Sequence, residues 1–106
     1  MSGAISKEES TLIVKIGEVK SAAREERDSM RELIVSGLKL VGYEAEAPDW
    51  EHLLVEVLHL PVHDGSKRQW RRSLFSLKYK YRLISITPFQ RGGERWGCYR
   101  LRPNKD

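Results

Sequence analysis

The chain has 106 residues, enough for one domain with a modest core and too few for two. A hydrophobic fraction of 40% and a charged fraction of 32% point to a folded, soluble protein and away from a disordered one, and no apolar run approaches the length of a membrane span. The net charge of +4 hides a partition: residues 66–102 hold eleven Lys and Arg against one acid, Glu94, for a local charge of +10, whereas residues 1–65 hold seven bases and thirteen acids, for −6. A chain split in this way presents one face to a polyanion and keeps another from it; a solvated basic surface with no partner is the plainer alternative.

The N-terminus turns acidic after Met1–Ser6 without a basic stretch or an apolar core, so no secretory signal is expected. Ser6 to Glu9 reads as a capping box, and Leu12, Ile16, Val19 and Ala23 alternate spacings of four and three, which predicts an N-terminal helical extension over residues 1–23. The β-branched run from Thr11 to Ile16, with Gly17 after it, supports a strand as the alternative. As a helix, its narrow apolar stripe could pair with a second copy to make a homodimer, or pack on its own core.

Met30, Leu33, Ile34, Leu38 and Val41 recur at helical intervals and predict a core-facing helix that Gly42 stops. Residues 43–47 are short and alternating, as in a brief strand. Pro48 and Asp49 then open a helix in which Pro suits the first turn and the acid favours the positive helix end. Trp50, Leu53, Leu54, Val57 and Leu58 give it the cleanest helical period in the chain, and Pro61 forbids its continuation. The residues from Leu60 to Gly65 form a turn of the length that joins two crossed helices.

Residues 66–82 read as a basic amphipathic helix. Ser66 is placed to cap it, Trp70, Leu74, Leu77 and Tyr81 make one apolar stripe, and Lys67, Arg68, Arg71, Arg72 and Lys78 lie largely off that stripe. The cations crowd its N-terminal half. Beyond it, residues 83–87 and 96–101 are strand-like, and the segment 88–95 between them carries Gly92 and Gly93, whose freedom at positive φ suits a hairpin tip flanked by Arg91 and Arg95. Residues 103–106 read as a frayed end.

The order helix, short strand, helix, turn, basic helix, strand, glycine-tipped loop, strand resembles the winged helix-turn-helix superfamily. In its bacterial regulators the recognition helix and the segment after it often read as an apolar residue, three positions, Leu, two positions, Leu, then Leu-Ile; here Trp70, Leu74, Leu77 and Leu83-Ile84 stand in those places. Two departures stand out: Arg82 occupies the position before Leu-Ile where many members have Gly, and the bulky residues 60–63 fill a turn that usually holds a small one. The resemblance implies an α+β fold, mostly helical, with three core helices and a C-terminal β-hairpin wing over residues 24–103, plus the extra N-terminal helix.

It also implies a function: binding of double-stranded DNA in transcriptional regulation or in replication, plasmid or phage control, in the cytoplasm with the nucleoid or in a nucleus. Lys67, Arg68, Gln69 and Arg72 are then placed at base edges, where Arg or Lys pairs with guanine and Gln with adenine, and Ser66 at the start of the helix is counted among the DNA-binding residues. Arg71, Lys78, Gln90, Arg91 and Arg95 would hold phosphate or follow the minor groove. Trp50, Trp70, Leu74 and Leu77 fall to the core, with an exposed stacking platform for single strands as the other reading. A protein-interaction module with the same fold, its cations facing an acidic partner, is the alternative of a different class.

Catalytic signatures are missing from the sequence. His52, His59 and His63 invite a metal, but Pro61 separates the last two and no Cys or acid pair completes a tetrahedral site. No phosphate loop follows a strand, no serine elbow occurs, and Cys98 alternates within a strand as buried filler; a single cysteine makes no internal disulfide, which suits a reducing compartment. No enzyme activity, cofactor, metal or small-molecule site is expected.

Overall fold

The computed structural model describes the backbone of residues 7–102 and the side chains of residues 24–102. The first helix, α1, spans Lys7–Leu40 without a break. The expected extension and first core helix are therefore one helix, and the strand alternative at residues 11–16 is excluded. Nothing between them stops a helix, because Gly17 costs only about 1 kcal/mol relative to Ala. The candidate cap at Ser6 and the tail 103–106 lie outside the described residues, as do the side chains of the stripe at 12–23. No helix of the described residues is long and apolar enough to cross a membrane.

α1 ends as Gly42 predicts. With Gly42 at φ 100°, its N–H donates to the Lys39 carbonyl at 3.2 Å and the Tyr43 N–H donates to the Leu38 carbonyl at 2.7 Å, which is a Schellman closure. The buried stripe of α1 is narrower than expected. Met30, Ile34 and Leu38 enter the core, whereas Leu33 and Val41 are exposed, since Leu33 lies about 100° around the helix from Ile34 and Val41 belongs to the cap.

β1 (Glu44–Ala47) leads into α2 (Trp50–His52), which widens into a π-helical turn over Leu53–Val57. Asp49, not Pro48, opens this helix: its carboxylate accepts from the His52 backbone N–H at 2.8 Å, so Pro48 sits outside the first turn. The apolar period of this segment is confirmed by burial, with Leu53 and Leu54 fully enclosed and Trp50, Val57 and Leu58 packed against them. The backbone winds wider than an α-helix because the Leu58 N–H reaches back to the Leu53 carbonyl and the Leu60 N–H to that of Leu54, with His59 left-handed between them at φ 54°.

α3 (Lys67–Tyr79) packs Trp70, Ser73, Leu74 and Leu77 inward. Its seam with α1 includes a Ser73 hydroxyl that donates to the Met30 sulfur at 3.7 Å. The helix stops short of residue 82. Tyr81 falls beyond its end and is exposed, with the Arg31 guanidinium 4.9 Å and the Lys80 ammonium 5.4 Å from its ring centroid, so the apolar stripe closes at Leu77. The exit runs through Arg82 at φ 54°, after which the Leu83 N–H donates to the Leu77 carbonyl at 2.8 Å. A left-handed Arg costs roughly 1 to 2 kcal/mol relative to a residue without Cβ. Arg82→Gly is therefore expected to raise the melting temperature by several degrees in a thermal scan, provided Gly's extra unfolded-state freedom offsets only part of the gain. An unchanged or lowered midpoint would mean that Arg82 has contacts worth more than its strain.

β2 (Ile84–Arg91) and β3 (Glu94–Leu101) form the hairpin, and β1 adds to β3, giving an antiparallel sheet in the order β1-β3-β2. The strands run further toward the tip than the sequence suggests. Pro88 stays in the ladder opposite Gly97 because β2 is an edge strand and can spare one donor, and the turn proper is only Gly92 and Gly93, at φ 59° and 84°, both positive as a two-residue hairpin of primed type requires. The architecture of the described residues is α+β: three helices packed with a three-stranded sheet, with Ala45, Ala47, Ile84, Tyr99 and Leu101 closing the core from the strands.

Candidate nucleic-acid interface

With Trp70, Leu74 and Leu77 turned inward, helical geometry sends Arg68, Arg72, Phe75 and Tyr79 to the opposite, solvent-facing arc of α3. Arg71 and Lys78 lie on the flank toward β2 and β3. Arg68, Arg71 and Arg72 are exposed, and none is in an ion pair among the described residues, because α3 contains no acid of its own. Gln69 is half-buried on the other flank.

Two of the expected contacts are committed elsewhere. Ser66 is buried and makes no cap bond to α3; its hydroxyl turns back to the His63 backbone, at 3.3 Å from both the N–H and the carbonyl, and so tightens the turn before the helix. Lys67 is partly exposed and its ammonium lies 3.0 Å from a Glu51 carboxylate oxygen of α2, a bond that raises its pKa above the usual lysine value. Lys67 stays cationic, but part of its charge is answered within the chain.

The hairpin divides its polar residues between two faces. Gln90 and Arg95 are paired in the ladder and share the face that carries Gly97 and Tyr99, and both are exposed. Between that face and α3 lies a cleft of about 380 Å³, with Lys78 on one wall and Arg95 on the other, floored by Ile86, Pro88 and Tyr99. No acid lines it. Burial pushes the Tyr99 hydroxyl up to about 12, so it remains a neutral phenol at any ordinary pH.

The other face of the sheet is neutralised. Arg91 reaches across β3 to a Glu46 carboxylate at 2.5 Å with its guanidinium 4.6 Å from the Trp96 ring centroid, and Arg100 bonds Glu44 at 2.7 Å. Arg100 holds the Glu44 carboxyl below the usual range. Cys98 sits beside this pair, half-buried rather than enclosed, with its sulfur 3.5 Å from Glu44; burial first and the Glu44 carboxylate second keep the thiol protonated. Arg91, expected at phosphate, thus faces away from α3 and pairs with an acid of β1.

The histidines do not assemble. No group of three metal-binding side chains occurs among the described residues, and His52 instead bonds the Asp49 carboxylate through Nδ1 at 2.9 Å, which raises its pKa. What sequence reading missed is aromatic. Phe75 and Tyr79 stack on the solvent arc at 6.3 Å between centroids and 15° between planes, with the Arg71 guanidinium 5.2 Å from the Phe75 centroid and the Lys78 ammonium 4.7 Å from that of Tyr79. Their spacing of four, out of phase with the buried stripe, was the available signal. Comparison of the chain with family models, with curated proteins and with solved structures found no match.

Proposed function

We propose that the chain is a winged helix-turn-helix protein that binds double-stranded DNA, with α3 in the major groove and the β2–β3 hairpin as the wing. The observation that carries this reading is the arc of Arg68, Arg71 and Arg72 on a helix without a single acid, joined across an acid-free cleft by Lys78 and Arg95. The order of helices and strands along the chain supports the reading, since it follows the layout that the resemblance implies. Arg68 and Arg72 are placed to read guanine, with Gln69 beside them; Arg71, Lys78 and Arg95 hold phosphate. A second copy would pair through the N-terminal half of α1, where Leu12, Ile16, Val19 and Ala23 repeat at alternating spacings of four and three, and such a dimer would read two half-sites. Control of transcription, replication or a mobile element is the role this chemistry serves.

Titration against duplex DNA over a range of salt tests the reading. Glu46, Glu44 and Glu51 already answer Arg91, Arg100 and Lys67, and the interface cations Arg68, Arg71, Arg72, Lys78 and Arg95 would neutralise about three to five phosphates, so log affinity should fall with log salt at a slope of about −3 to −5. A flat response would overturn duplex binding. The exposed Tyr79, stacked on a half-buried Phe75, favours single-strand stacking as the second reading, and stronger binding to single-stranded DNA or RNA than to any duplex would select it.

A further inference from the structure

The solvent arc of α3 carries an apolar group that the core does not use. Phe75 follows Arg72 by three residues and Arg68 by seven, is half-buried, and belongs to neither the enclosed core nor the ring of side chains packed against it. On its own helix Tyr79 stacks on it and the Arg71 guanidinium stands over its ring. The ring is held in place before any ligand arrives, on the same line as the two arginines best placed to reach bases.

In a major groove such a ring has few partners. Every base edge there is an array of donors and acceptors except at C5 of a pyrimidine, where thymine carries a methyl group and cytosine carries one only when it is methylated. An aromatic ring pressed against donors and acceptors would cost their hydration and return nothing, whereas against a methyl group both surfaces leave water together. We propose that Phe75 is a specificity-determining residue that recognises a C5-methylated pyrimidine. Three helical residues span about 4.5 Å along the axis and one base step about 3.4 Å, so the methyl lies one to two base steps from the guanine that Arg72 reads. This inference rests on the duplex-binding reading.

The experiment uses the full chain and the duplex it prefers from a random pool, with each thymine in turn replaced by deoxyuridine, which deletes only the methyl, and each cytosine by 5-methylcytosine. At one thymine the wild type is expected to lose about three- to fivefold in affinity, the factor for one buried methyl group. A gain of that size at one methylated cytosine instead would support the proposal with 5-methylcytosine as the source. Phe75→Ala, shown folded by thermal melting, should bind methylated and unmethylated duplexes alike, and Phe75→Leu should keep most of the discrimination. Duplex binding with no methyl dependence at any position overturns the proposal and leaves the duplex reading standing, as does methyl dependence that survives in Phe75→Ala. Absence of duplex binding overturns the duplex reading, and this proposal falls with it.

Discussion

Leu74→Ala is expected to lower the unfolding free energy by about 3 to 5 kcal/mol, and Trp70→Ala by a similar amount, read as a shift of the urea midpoint. Leu74 is 0% exposed and Trp70 3%, and both stand where α3 meets the other elements of the core. Truncation removes their transfer free energy and leaves a cavity that the enclosing residues, themselves fixed by α1 and the sheet, can fill only in part. A domain of this size has about 5 to 15 kcal/mol of total stability, so either change removes about a fifth of it at the least and nearly all of it at the low end of that range. Arg68→Ala and Arg72→Ala should leave the midpoint nearly unchanged, because both side chains end in solvent. A Trp70→Ala protein that melts normally yet no longer binds nucleic acid would mean that α3 is rotated from this placement and that Trp70 is a stacking surface.

What was legible in the sequence is what neighbouring residues decide. Trp70, Leu74 and Leu77 share a side of α3 at any plausible helix length, and Gly42 and the Gly92-Gly93 pair have φ values that the chain needs and most residues resist, so the core stripe, the end of α1 and the hairpin tip could all be read. The errors arise where the outcome depends on a distant partner. Tyr81 continues the arithmetic of the stripe, but the helix has already stopped at Tyr79 because the chain must turn through Arg82 for Leu83 and Ile84 to reach β3. Pro88 looked like a strand boundary since nothing local tells an edge strand from a central one.

Electrostatics was the least legible part for the same reason. The count of +10 for residues 66–102 treats all cations alike, yet Arg91 is matched by Glu46, 45 positions earlier, and Arg100 by Glu44, 56 positions earlier, because β1 lies beside β3. Sheet pairing converts an apparent basic block into one neutral face and one cationic face. Among the cations left unmatched, Arg68, Arg71, Arg72, Lys78 and Arg95 are turned toward the cleft and the solvent arc, while Lys80, Arg82 and Arg102 lie at the C-terminal end of α3 and the base of the hairpin, a narrower reading surface than composition alone implies.

That narrowing sharpens the expected ranking of binding variants. If Arg68 or Arg72 pairs with guanine O6 and N7, its replacement by Ala should cost about 1 to 3 kcal/mol on the preferred duplex and much less on random duplexes, because the lost bonds are ones that only the right base offers. Arg71→Ala and Arg95→Ala should instead weaken binding to both duplexes alike and lower the salt slope by about 1 each, as phosphate contacts carry no sequence information. Arg91→Ala should do neither on the DNA side, since its guanidinium is already bonded to Glu46 on the far face of the sheet. Titration of the five variants on two duplexes at two salt concentrations separates the three groups. Arg68 and Arg72 lie four residues apart, about 6 Å along the axis, which spans roughly two base steps, so their two preferred guanines should fall within one half-site. Equal losses for Arg72→Ala on preferred and random duplexes would demote Arg72 to a phosphate contact and move the reading edge of α3 toward Arg68 and its N-terminus.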